Sequence, residues 1–324
     1  MIARMLLLLG LFVSTLAHGA QHHLLIVTGI GGTDEYREQF SATAQRLYDA
    51  AIEARFSPAN ITLLSATELP EDAPPQRNSD KTTLLQALDE IDARSQPGDR
   101  VFVVLIGHGN PREDDSAFNL PGPDITATEL AEALDKLAER DLVIVNTASA
   151  SGPFVRALSA SGRVVITATS SGREYFATHF GEHFVAALAE PGADRDKDAR
   201  ISMLEAFDFA RHEVRRAFES DKKLLTEHAL LDDNGDGEGS TEPGEFASDG
   251  ALANRVYLQQ APSLALGASA ELVGMFERKQ AIEDSILALK RRRDEFEHDD
   301  YYAQLERLLV DLALLGRDIR ALED

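Results

Sequence analysis

The sequence predicts an α/β fold, an open parallel sheet with helices on both faces, followed by a C-terminal α-helical hairpin. Three observations predict it. From residue 23 to about 218, short apolar runs alternate with amphipathic helical stretches. Some of those runs, such as residues 101–106, are apolar throughout, as a strand covered on both faces requires. Beyond Pro262 the apolar residues recur three and four apart, the helical period.

Arg4, the apolar run 5–16 and Ala17-His18-Gly19 form the basic, apolar and small-residue parts of a signal peptide, residues 1–19. The mature chain is expected to begin at Ala20 and to be periplasmic or secreted. The run falls short of the roughly 20 apolar residues a bilayer span needs, so no stable membrane anchor is expected after cleavage. His22 and His23 read as a disordered start. Residues 24–27 are the first strand, and 36–55 a helix with Phe40, Ala44, Leu47 and Ala51 on one face. Residues 61–64 are a second strand, and Ser79 or Asp80 caps a helix through Leu84, Leu88 and Ile91. The strand 101–106 follows, then a helix through Leu130, Leu134 and Leu137. Strands at 142–145 and 164–168 and helices at 175–189 and 203–218 complete an α/β domain over residues 20–220.

Residues 221–262 read as an acidic, glycine-rich extension, and 263–324 as the hairpin or coiled-coil tail. The tail's two arms pack on each other or dock an envelope protein. The formal charge of −23 disfavours nucleic acid and anionic membrane surfaces. The basic run 290–293, flanked by acids, reads as a solvated helix face. Without cysteine the chain has no disulfide, thiol nucleophile or thiolate metal site. The glycines of residues 29–32 lack a dinucleotide pattern or a phosphate-binding lysine, so no nucleotide or redox cofactor is expected.

Two strands run into unusual segments: 101–106 into Gly107-His108-Gly109, and 142–145 into Asn146-Thr147-Ala148-Ser149-Ala150-Ser151-Gly152. Sites in open α/β sheets form at the carboxyl ends of strands, so His108 and Ser149 are expected to face one another. An imidazole beside a hydroxyl suggests nucleophilic catalysis, with backbone N–H groups holding the oxyanion. Asp114, Asp115 and Asp141 are candidates to orient the histidine.

A strand ending in His-Gly, followed some forty residues later by a strand ending in a nucleophile loop, resembles the caspase, gingipain and legumain peptidases. Legumain is the nearest: Glu-Ala-Cys-Glu-Ser-Gly there against Thr147-Ala148-Ser149-Ala150-Ser151-Gly152 here, and Tyr-Arg-His-Gln against Tyr36-Arg37-Glu38-Gln39. The Thr167-Ala168-Thr169 strand with Glu174 is also similar. The resemblance spans roughly residues 22–215. It implies His108 as catalytic histidine, Ser149 as nucleophile, Gly109 and the Ser149 backbone as oxyanion hole, and Arg37 in the substrate pocket. Three positions depart from it: Ser149 replaces the cysteine, Ala150 the acidic pocket residue, and Glu35 the asparagine before Tyr-Arg. A thiol attacks as thiolate, whereas a hydroxyl needs an aligned base. The first reading is therefore a pseudo-peptidase or peptide-binding module. The alternatives are an active serine endopeptidase (a hydrolase) and a calcium-stabilised envelope scaffold.

Asp194, Asp196, Asp198, the Arg200 carbonyl and Glu205 occupy positions 1, 3, 5, 7 and 12 of an EF-hand-like loop, with Ala199 in place of the turn glycine. Structural calcium is expected there. Asp232, Asn234, Asp236 and Glu238 resemble the first half of a second loop, in which position 12 falls on Pro243 and leaves Glu242 or Glu245 to reach in.

Overall fold

The computed structural model describes residues 20–68, 73–113, 115–196, 200–244 and 247–259, scattered positions from 272 to 296, and residues 297–323. The expected signal peptide, Asp114, Asp198 and most of the hairpin's first arm lie outside the described residues.

The strands are β1 (His22–Thr28), β2 (Ile61–Ser65), β3 (Gln76–Asn78), β4 (Arg100–Ile106), β5 (Gly109–Pro111), β6 (Ser116–Phe118), β7 (Ile125–Thr126), β8 (Asp141–Asn146), β9 (Arg163–Thr167) and β10 (Leu230–Asp232). The helices are α1 (Asp34–Glu53), α2 (Lys81–Arg94), α3 (Ala127–Leu134), α4 (Pro153–Leu158), α5 (Phe180–Ala187), α6 (Met203–Ser220) and α7 (His298–Glu323). Seven strands form the main sheet in the order β10-β9-β8-β4-β1-β2-β3, parallel except for β10, while β5, β6 and β7 make a small antiparallel sheet.

Strand alternation divides the core in two. Leu24, Ile26, Phe102, Val104 and Ile106 pack with Phe40 and Leu47 of α1, Phe184 of α5 and Phe207 of α6. Leu25, Val27, Val103 and Leu105 pack on the opposite face with Leu88 of α2, Leu130 of α3 and Phe154 of α4. Both faces of the central strands are covered, which explains their unbroken apolar runs. Helix starts follow the capping residues: Asp80, not Ser79, caps α2 through the Thr83 N–H at 2.9 Å. Thr126 with Glu129 and Ser202 with Glu205 form reciprocal capping boxes.

The order of the sheet reverses between β1 and β4, which have later strands outside them on either side. Loops leaving such neighbours turn apart and open a crevice at the carboxyl edge. The loops after β1 and β4 lie there, and the loop after β8 is next to them.

Three expectations need correction. His22 and His23 are not a disordered start but two buried residues of β1. The helix expected from residue 175 starts at Phe180. The Glu174 carboxylate instead binds Ser170 and the backbone of His228, holding this stretch as a loop. The extension after residue 220 is also not separate from the core, because β10 pairs antiparallel with β9 and completes the sheet. Among the described residues no helix is long and apolar enough to cross a membrane.

Candidate active site

His108 and Ser149 follow adjacent strands, and the residue after His108 touches the serine. The Gly109 N–H donates to Ser149 Oγ at 3.1 Å, and the Ser149 hydroxyl lies 3.2 Å from the Gly109 carbonyl, to which it donates. Glycine is required at this approach: a Cβ on Gly109 would lie 2.4 Å from the Ser149 carbonyl oxygen and 2.9 Å from that of Ala117. Ser149 is only 2% exposed.

The imidazole of His108 sits between two aromatic edges, Tyr36 at 4.6 Å and Phe40 at 5.0 Å between ring centroids. Burial lowers its pKa below the ordinary histidine value, opposed by a backbone hydrogen bond with Gly31. No hydrogen bond joins His108 to Ser149 among the described residues. Of the expected orienting acids, the two described, Asp115 and Asp141, are engaged elsewhere. Asp141 starts β8 and pairs with Arg100 at 3.1 Å, about 17 Å of strand away from the site edge. Asp115 accepts the N–H groups of Ser116 and Thr128. The group set against the His108 ring is thus the Gly31 backbone, in a loop whose residue types gave no sign of that role.

The serine loop is fixed from all sides. The Thr147 N–H and hydroxyl both donate to the Leu105 carbonyl at 2.9 Å. Ser151 Oγ lies 3.1 Å from Thr169 Oγ1, which also accepts the Gly152 N–H. Ala150 has φ of 53°, a left-handed conformation that is strained for a residue with a Cβ. It is held there by its N–H donating to the Glu174 carbonyl at 2.7 Å. Ala150 is fully buried, so the expectation that it lines the pocket is corrected: its methyl reaches no surface. Arg37 is ion-paired with Asp34 at the start of α1, and Glu35 is exposed on the same turn.

Sequence reasoning missed the clamp behind this loop. Glu174 accepts the His228 N–H and bonds His228 Nδ1 at 2.9 Å, so it links Ala150 to the strand entering β10. Beside it, the buried carboxylate of Glu227 accepts the N–H groups of His179 and Phe180 at the start of α5. Thr178 just ahead donates to the Thr147 carbonyl at 2.6 Å. These pairs lie 31 to 54 residues apart in sequence, and no local pattern marks them. Burial pushes Glu227 up to about 7, against the lowering effect of the two N–H donors. The protonated folded form is therefore favoured: its contribution is full below pH 4.5 and is lost as pH rises through 7. In urea unfolding the stability of wild type relative to Glu227→Gln should fall by about 1.4 kcal/mol from pH 6 to 8, the upper part of a total on the order of 3 kcal/mol. Parallel curves for the two proteins would contradict this.

A groove of about 880 Å³ borders the serine loop at Gly152 and Pro153, with Arg112, Arg156, Arg173 and Tyr175 along its walls. Tyr175 and Phe176 are exposed at 60% and 64% and lie ring against ring, 4.9 Å apart. Asp194, Asp196 and Glu205 offer oxygens all within 4.8 Å of one another, a spacing that suits a hard cation. Glu205 also serves the α6 capping box and accepts the Arg195 N–H at 2.9 Å.

The profile of the Peptidase C13 family matches residues 79–224, a span that includes both His108 and Ser149. Among solved structures, protein GSU0716 from Geobacter sulfurreducens is similar at 13% identity and a TM-score of 0.44, over 65% of this chain and 92% of that one. No curated protein matches. The family profile agrees with the order of strands and with the His-Gly and serine loops: residues 79–224 of this chain are similar to the Peptidase C13 family.

Proposed function

We propose that the chain is an exported peptidase-fold protein that binds peptide in the groove beside Ser149 rather than cleaving it. One observation carries this reading: the Gly109 backbone engages Ser149 Oγ as both acceptor and donor. To attack, the hydroxyl must leave the Gly109 carbonyl, turn its proton to His108 and vacate the N–H that would receive the oxyanion. A thiol makes weak hydrogen bonds and would leave that N–H free, so the geometry suits the family's cysteine and disables the serine. The exposed Tyr175–Phe176 pair at the groove supports a peptide ligand, because aromatic side chains dominate such contacts. The leader-like residues 1–19 support export. The converging oxygens of the 194–205 loop support a structural calcium ion there.

The test is labelling by a fluorophosphonate probe, alongside a Ser149→Cys variant treated with iodoacetamide. Wild type should stay unlabelled while the introduced thiol is alkylated, which reports an open site provided circular dichroism shows both proteins folded. Wild-type labelling that disappears in both Ser149→Ala and His108→Ala would instead establish a serine peptidase, a reading favoured by the burial of His108, which keeps the imidazole neutral and so able to accept a proton.

A further inference from the structure

The acids of the loop between β10 and residue 250 differ in how they are satisfied. Asp233 is fully used: the N–H groups of Gly250, Leu252 and Ala253 donate to it at 2.7–2.9 Å. Asp232 is 1% exposed, and only its Oδ1 is engaged, by the Gly235 N–H at 3.1 Å. Its Oδ2 is sealed from solvent and has no hydrogen-bond partner. Asp249, also 1% exposed, accepts one long bond from the Asp233 N–H at 3.3 Å. A bare carboxylate oxygen shut among like charges is costly, and a bound cation removes that cost.

The loop has the shape to supply further oxygens. Leu231 and Ser240 pair across its base. Gly235 and Gly237, at φ of 82° and 76°, turn it sharply so that Asn234 and Asp236 lie side by side, 3.0 Å between Asn234 Nδ2 and Asp236 Oδ2. We propose that Asp232, Asn234, Asp236 and Asp249 bind a calcium ion, with the Glu238 carbonyl as a further ligand. The donors are all oxygen, which selects a hard cation, and calcium tolerates an irregular shell of six to eight. Asp249, which accepts the Asp233 N–H next to Asp232, would offer the carboxylate that Pro243 lacks. Of the substitutes expected there, Glu242 pairs with Arg211 at 3.5 Å, and Glu245 lies outside the described residues. Gly237, Glu238 and Gly239 line the groove, so the ion would stiffen one of its walls.

The experiment is calorimetric titration of the chelator-stripped full chain with calcium chloride, alongside thermal unfolding. Wild type should bind calcium, with Tm raised by roughly 5–10 °C at a hundredfold excess over Kd. Asp236→Asn, an exposed change that spares the fold, should weaken one site at least tenfold, and Asp232→Asn with Asp249→Asn should abolish it. Asp194→Asn should leave this site intact, so a failure of the 194–205 loop is distinguishable. Wild-type binding abolished by Asp194→Asn alone, unchanged titration of Asp236→Asn, or no heat and no Tm shift would overturn the proposal.

Discussion

Gly109→Ala should lower Tm by roughly 6–12 °C and disorder the serine loop, whereas Gly192→Ala should be nearly neutral. A methyl at residue 109 would meet two backbone carbonyl oxygens, of Ser149 at 2.4 Å and Ala117 at 2.9 Å, and neither can rotate away like a side chain. One belongs to the serine loop and the other to β6, so relief requires moving the loop or the small sheet. Overpacking of this kind costs about 3 kcal/mol, the upper end of the usual range, which sets the expected Tm change. At Gly192 an added Cβ meets nothing within 4 Å, and a change within about 0.5 kcal/mol is expected. Equal Tm values for the two variants would show that the approach of the strand ends is not as tight as described.

The second large effect is acid lability centred on His22. Its ring lies in the core against Phe56 and Phe102, with Nδ1 3.2 Å from the Leu258 carbonyl. Burial lowers its pKa to about 4, with the Arg100 charge adding to the fall. Unfolded, the residue protonates near 6.5, so between pH 6.5 and 4 the unfolded chain binds more protons and stability falls as the pH drops. The full loss is on the order of 3 kcal/mol. Glu227 works in the opposite direction between 7 and 4.5, so the wild-type curve alone conceals the effect. The informative quantity is the difference between wild type and His22→Gln, which keeps a donor for Leu258 but does not titrate. That difference should slope by about 1.4 kcal/mol per pH unit within the window. A flat difference would mean that His22 is not held neutral.

Much of the fold was legible because burial on both faces leaves a direct trace: residues 101–106 and 142–145 are apolar at every position, and few other structures demand that. The start of α2 was legible because its cap, Asp80, is local. What failed lacked a local trace. His22 and His23 look polar, yet the sheet continues beneath them, with Asp99 and Leu258 supplying polar partners from 76 and 236 residues away. Residues 175–179 were expected to open a helix, but Glu174 just before them is tied to a backbone 54 residues on. For the site, His108 and Ser149 could be picked out because each follows an apolar strand into a run of small residues. The groups that hold them, Gly31, Glu174 and Glu227, could not.

The sequence by itself determined the α/β class, the two strand ends that carry the histidine and the serine, and the absence of any thiol, since these follow from apolar period, strand termini and composition. Tertiary structure alone decided where the hydroxyl points, which acids are satisfied and which remain bare, and that β10 belongs to the sheet. Those outcomes depend on distances of about 3 Å between groups far apart in the chain. No pattern along the backbone records such distances until packing brings the groups together.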